Sequence, residues 1–256
     1  MVLTIYCIPT YCIGRSESVA ANVLTVEDIR MNIRFDGKRA LVTGAGRGIG
    51  RGIITKLAEC GAECVALSKT PENLESLKNE VPGIQTIAVD LADWTATRHA
   101  LENVGKIDLL VNNAGILSIS PFLETAKDDL DKVLDVNFKA IFNVSQIVAR
   151  GMVERGNGGA IVNVSSVASR IAFKNMASYC SSKGALDSLT QVMATELAPH
   201  KIRVNSVHPH IVQSTDMGNW AADCPGTGEF YLSRIPLNIF PGKCGGCCQR
   251  SCVPIK

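Results

Sequence analysis

The stretch Arg39-Ala40-Leu41-Val42-Thr43-Gly44-Ala45-Gly46-Arg47-Gly48-Ile49-Gly50 begins as an apolar, β-prone run and breaks into a glycine-rich turn. A helical pattern follows at once and continues through Glu59, where Gly61 stops it. Strand, glycine turn and helix in that order make a dinucleotide site: the glycines allow a tight turn and close backbone approach, and the amino end of the helix attracts a pyrophosphate. Gly44, Arg47, Gly48, Ile49 and Gly50 are therefore expected to face a nucleotide.

Working outward, a second strand over residues 63–67 ends at Ser68-Lys69-Thr70. An NAD site would place an acid here to bind the ribose 2′-hydroxyl. The chain instead offers Ser68 and Lys69, with Arg47 within reach, and two cations beside a hydroxyl suit a 2′-phosphate. NADP(H) is the cofactor expected. Thr70-Pro71 then opens a helix with an N-cap residue and a proline at its first position. A third strand, 85–89, ends at Asp90-Leu91, and Asp93 can cap the helix after it.

A fourth strand, 107–111, leads into Asn112-Asn113-Ala114-Gly115, whose small residues and amides can pack near a cofactor and brace neighbouring strands. The helical stretch from about 126 to 150 carries Asn137 in its middle. Asparagine is a mediocre helix former, so a buried one there needs a reason. A fifth strand over 160–164, a helix through Leu197 and a sixth strand over 202–207 complete the alternation. The pattern predicts an α/β fold: one Rossmann-type domain with a doubly wound parallel sheet. His208, beside Pro209 at the end of the sixth strand, reads as a packing residue.

The chemistry concentrates between Ser166 and Lys183. Tyr179 and Lys183 are four apart, so a helix from about Met176 onward puts them one turn apart on one face. A neighbouring ammonium favours the phenolate and brings the tyrosine closer to a working range, which makes it a candidate general acid. Ser166 follows the fifth strand at its carboxyl end, the edge at which open α/β sheets bind substrates.

At 256 residues, 46% hydrophobic and 20% charged, the chain can bury a substantial core. Its net charge of +2 is spread without a polybasic block, so nucleic acid and anionic membranes are not expected partners. The apolar runs fall short of the roughly 18 to 20 residues a membrane span needs. Residues 1–30 lack a charged lead-in to their apolar opening and read as a disordered extension rather than a secretory signal. Of ten cysteines, Cys60, Cys64 and Cys180 fall inside expected elements and read as small hydrophobes. Cys244, Cys247, Cys248 and Cys252 crowd the tail, but without a histidine or a second knuckle they are not expected to hold a metal. A cytoplasmic chain with reduced thiols fits this usage.

Thr43-Gly44-x-x-x-Gly48-x-Gly50, Asn112-Asn113-Ala114-Gly115, Asn137, Ser166 and Tyr179-x-x-x-Lys183 occur in one order, and with them the chain resembles the short-chain dehydrogenase/reductase family over about residues 33–238. The resemblance implies NADPH-dependent reduction of small ketoses and α-dicarbonyls in a homotetramer. It makes Tyr179 the proton donor to the carbonyl oxygen and Lys183 the group that lowers the tyrosine and holds the nicotinamide ribose. Ser166 would orient the carbonyl, and Asn137 would hold a water that links Lys183 to solvent. Thr70, Asp90, Leu91, Asn113, Ala114, Gly115 and Val212 join the glycine loop, Ser68 and Lys69 against the cofactor.

Three departures matter. Pro209-His210 stands where many relatives have Pro-Gly, and Met176 stands where a polar side chain is usual, so an apolar dicarbonyl suits the pocket better than a sugar. Ser214 and Thr215 both lie near where relatives place a hydroxyl against the nicotinamide carboxamide. After Asn238 the family's last helix and strand give way to an aperiodic Cys-rich tail, residues 239–256. That ending should expose a strand edge and weaken the oligomer. It admits a second reading, an impaired member that acts as a cofactor-binding or regulatory subunit.

Overall fold

Leu41 and Val42 are neighbours in the first strand and belong to different cores. Successive strand side chains point to opposite faces, so a strand buried on both sides reads as an unbroken apolar run. The computed structural model, which describes residues 33–212 and 215–217, has six strands; the central ones are of this kind, whereas those at the two edges are partly exposed. They are β1 (Arg39–Thr43), β2 (Glu63–Ser68), β3 (Gln85–Ala88), β4 (Leu109–Asn112), β5 (Gly159–Val164) and β6 (Ile202–Val207). All pair in parallel, in the order β3-β2-β1-β4-β5-β6.

Helices α1 (Gly48–Glu59) and α2 (Pro71–Glu80) cover one face, where Ile54, Leu74 and Leu77 meet Val42, Ala66 and Val111. Helices α3 (Trp94–Leu101) and α5 (Ala140–Arg155) cover the other, where Leu101, Val144, Val148 and Met152 meet Leu41, Leu110 and Ile161. Helices α4 (Lys127–Leu134) and α6 (Ala177–Leu197) complete that layer. Each fully buried leucine contributes about 1.5–3 kcal/mol. The chain leaves β1 towards β2 and β3 and returns on the far side to β4, so a crevice opens between the carboxyl ends of β1 and β4.

Polar side chains tie this core together where strands and helices meet. Asn112 donates to Ser145 Oγ and Asn163 Oδ1, both at 2.9 Å, and Asn163 donates to Thr190 Oγ1 at 2.8 Å. The chain of bonds joins β4, α5, β5 and α6.

Some boundaries differ from the sequence reading. The helical run through Asn137 extends from Lys127 to Arg155, because Gly151 is tolerated inside it and the stop is Gly156, left-handed at φ 69°. Its middle, Asp135–Lys139, is a π turn. Thr70 sits at the N-cap of α2 but makes no side-chain capping bond, whereas Asp93 caps α3 through Ala96 N–H. The expected extension over 1–30, the tail over 239–256 and the missing last helix and strand lie outside the described residues.

Candidate active site

The crevice is a cavity of about 560 Å³, within the range of cofactor and small-molecule sites. Gly44 begins the turn after β1 at φ +64°, and a Cβ there would lie 2.8 Å from the Ala114 Cα. A Cβ on Gly50, in the first turn of α1, would stand 2.2 Å from the Gly44 carbonyl oxygen. Glycine at both positions lets β1, α1 and the loop after β4 meet closely. Thr43 and Asn113 close the junction. Thr43 Oγ1 accepts from the Asn113 and Ala114 N–H groups at 3.0 and 3.1 Å, and Asn113 Nδ2 donates to the Thr43 and Gly44 carbonyls at 3.0 and 3.2 Å. Helix α1 has no acidic residue in its first turn, so its positive end is free for an anion.

Arg47, Ser68, Lys69 and Thr70 line one end of the cavity. Lys69 Nζ pairs with Asp90 Oδ2 at 2.6 Å, and Arg47 pairs with Asp216. Partial burial works against the charge on Asp90, but hydrogen bonds from Lys69 and the Ala92 N–H outweigh it and hold the carboxyl below its ordinary value. Asn73, in the first turn of α2, also lines this end. Nothing in its sequence surroundings distinguishes it from an ordinary helix-surface residue.

Ser166, Tyr179 and Lys183 line the other end. Ser166 stands two residues past β5 in extended backbone; its hydroxyl accepts from the Ala168 N–H at 3.1 Å and is near enough to Tyr179 to favour the phenolate. Tyr179 and Lys183 are one turn apart on α6, with Nζ 5.8 Å from the ring centroid, and only 7% and 4% exposed. Burial pushes the tyrosine above its ordinary phenol value, against the lowering effect of the Ser166 hydroxyl. That direction corrects the expectation that Lys183 brings the phenol down: the ammonium is engaged by the Val164 carbonyl at 2.8 Å, and desolvation dominates. Burial also pulls Lys183 down to about 8, opposed by the charge of Asp187.

Asn137 is fully buried in the π turn. Its Oδ1 accepts from the Ile116 N–H at 2.8 Å, and its Nδ2 donates to the Ile116 carbonyl at 2.9 Å and to Ser182 Oγ at 3.1 Å. Both main-chain groups of Ile116 are thereby satisfied, which explains an asparagine at mid-helix. Asn137 does not line the cavity, but its Oδ1 and Lys183 Nζ converge on Gly115, where a Cβ would lie 3.4 and 3.6 Å from them.

Of the residues expected against a cofactor, all but Gly50 line the cavity; Gly50 serves the close packing beneath it. Val212 lines it, as does Thr215, whose hydroxyl donates to the Val212 carbonyl at 2.8 Å; Ser214 lies outside the described residues. Leu117 and Phe173 pack with Ala168 and Met176 around Tyr179. The sequence reading singled out Met176 and missed Leu117 and Phe173, which fall in loops with no periodicity to mark them.

Residues 38–223 match the short chain dehydrogenase family. The chain is a short-chain dehydrogenase. It is 54% identical over 210 residues to L-xylulose reductase of Bos taurus, a match covering 82% of this chain and 86% of that protein. Carbonyl reductase (NADPH) 2 of Sus scrofa is 50% identical over 210 residues, with the same shares of 82% and 86%. Among solved structures, a gluconate 5-dehydrogenase from Burkholderia cenocepacia J2315 in complex with NADP and tartrate is similar, with TM-score 0.76 and 34% identity. That likeness covers 82% of this chain and 85% of the other.

This short-chain dehydrogenase is therefore an oxidoreductase that uses a nicotinamide cofactor, and its relatives include carbonyl reductases. Among the described residues no helix is long and apolar enough to cross a membrane, and no cluster of His, Cys, Asp or Glu could hold a metal ion. Cys244, Cys247, Cys248 and Cys252 lie outside those residues.

Proposed function

We propose that the chain reduces small carbonyl compounds, ketoses and α-dicarbonyls among them, to alcohols with NADPH. One observation carries this reading: Ser166, Tyr179 and buried Lys183 line the same cavity that gathers Arg47, Ser68 and Lys69. NADPH, when bound, supplies the hydride that reaches the carbonyl carbon. Ser166 holds the carbonyl oxygen. Tyr179, kept as the phenol by burial, gives its proton to that oxygen as the hydride arrives. Lys183, at about 8, is mostly ammonium at neutral pH, steadies the phenolate left behind and holds the nicotinamide ribose. Asn137 holds the Ile116 loop beneath Lys183 and, on this reading, a water that returns protons from solvent.

The wall formed by Leu117, Ala168, Phe173 and Met176 supports carbonyls with alkyl flanks over polyhydroxylated ones. Exposed Leu130, Phe142 and Val192 on α4, α5 and α6 support a homo-oligomer. The test is NADPH oxidation by the purified chain with diacetyl and with L-xylulose, beside Tyr179→Phe. Turnover that is lost in the variant, and faster with diacetyl, is the expected result. A parent chain that binds NADPH without turnover would overturn the reading and leave a cofactor-binding role.

A further inference from the structure

His208 follows β6 and lies against the back of the catalytic serine, out of the cavity lining. Its Nδ1 is 3.2 Å from the Ser166 carbonyl oxygen and 3.3 Å from Ser169 Oγ. A carbonyl oxygen only accepts, and the Ser169 hydroxyl gives its own hydrogen to that same oxygen at 2.8 Å. Nδ1 must therefore carry a proton for the contact to be favourable. On the opposite edge of the ring, Nε2 is 3.0 Å from Ser206 Oγ and 3.7 Å from Asp187 Oδ1. Asp187 Oδ1 is buried and has no hydrogen-bond partner, and Asp187 lies on α6 one turn beyond Lys183. Arg170, 3.8 Å from the other Asp187 oxygen, and Lys183, one turn back on α6, are charged groups near Asp187.

We infer that His208 is a positioning residue for the reaction. Its Nδ1–H sets the main chain of Ser166, and its opposite edge, hydrogen-bonded to Ser206, ties that serine to β6. The consequence for chemistry rests on the reading of Ser166 as the group that orients the carbonyl; the brace itself does not. Outer partners of metal ligands change activity by about 10–100-fold when removed, and a loss of the same order is expected for this brace.

The geometry separates two near-isosteric variants. The amide nitrogen of asparagine can stand where Nδ1 stands, whereas that of glutamine reaches the position of Nε2. His208→Asn is expected to keep most of the diacetyl-dependent kcat, within about threefold. His208→Gln and His208→Ala should lose about 10–100-fold in kcat, with the Kd for NADPH unchanged. A packing role would rank the variants by volume instead and favour glutamine over asparagine. Equal impairment of the asparagine and glutamine variants, or a glutamine variant within twofold of the parent, overturns the proposal. If the alanine variant does not fold, the asparagine and glutamine pair still decides. Nitrogen-15 spectra of the histidine rings in the parent chain test the brace without turnover: a proton on His208 Nδ1 is expected, and a ring protonated on Nε2 alone overturns it. A parent that shows the Nδ1 proton but no turnover would sink the carbonyl-reductase reading and leave the brace standing.

Discussion

Lys183 reaches across from α6 to give its ammonium to the Val164 carbonyl at the end of β5, 2.8 Å away. The contact fixes the head of the side chain in place, yet the group is still pulled from 10.5 to about 8 by burial. Between about 8 and 10.5 the unfolded chain holds a proton at this site that the folded protein does not. Stability therefore rises with pH across that window, and below it the protein carries the whole burden, about 3 kcal/mol at most. Lys183→Met should abolish turnover while sparing the protein this burden, less the about 1–3 kcal/mol for an unpaired Val164 carbonyl. Urea midpoints of parent and variant at pH 7, 8.5 and 10 measure it. The parent should gain on the variant as pH rises, and a constant difference would refute the assignment.

Tyr179 is 7% exposed, and its hydroxyl meets Ser166. Tyr179→Phe removes only that hydroxyl, so kcat should fall by about 10²–10⁴-fold. NADPH binding, followed by its fluorescence, should change by no more than about threefold, since the ring and Lys183 remain. A variant that turns over at the parental rate would show that another group supplies the proton.

The Lys69–Asp90 pair is solvent-exposed on both sides, 71% and 41%, so it contributes under about 1 kcal/mol to stability. Its effect is expected in cofactor choice. Lys69→Asp puts two carboxylates where a 2′-phosphate would sit and should turn the kcat/KM ratio towards NADH by tenfold or more, about 1.4 kcal/mol. Preference unmoved by the change would leave Arg47 and Ser68 as the phosphate site.

Gly50 and Gly52 are both in α1 and make a matched pair. A methyl on Gly50 would meet Gly44 O at 2.2 Å and Asn113 Nδ2 at 2.4 Å, whereas one on Gly52 meets nothing within 4 Å. Gly50→Ala should destabilise by about 1–3 kcal/mol and weaken NADPH binding. Gly52→Ala should leave binding intact and stabilise by about 0.5–1 kcal/mol through helix propensity. Thermal melts with and without NADPH distinguish them, and equal effects would contradict the close approach.

Most of the sheet is legible in the sequence because its central strands are buried on both faces. Residues 39–43 are apolar enough to mark β1 to the residue; residues 202–207 mark β6 as closely although half of them are polar, as an edge strand allows. β4 begins later than its apolar run, since Ile107 and Asp108 precede the pairing with β1 that starts at Leu109. The glycine loop is legible for a stronger reason: backbone approach admits no side chain there, so chemistry and sequence coincide. Asn73, Leu117 and Phe173 are not legible, because only the fold brings them to the cavity. Nor is the direction in which Tyr179 shifts. Four-residue spacing announces a charge beside a phenol, but not the desolvation that outweighs it. His208 is the sharpest case: next to Pro209 it looks like packing, and only the turn of the Ser166 loop supplies its acceptor.

The π turn at Asp135–Lys139 makes the site depend on residue count as well as residue type. An i→i+5 turn holds one residue more than the α turn it replaces, and so sets α4 and α5 out of phase by about 100°. That offset lets α4 pack on α6 while α5 packs on α3 and the sheet. Asn137 sits at the phase step, bonded to Ile116 on one side and Ser182 on the other. A deletion of one residue on either side of Asn137 would bring the two helices back into phase. It would swing the asparagine away from Ile116 without altering any side chain in the site. In coding terms this end of the molecule is sensitive to reading length as well as to residue type: the loss of a single codon in the turn is expected to part Asn137 from Ile116.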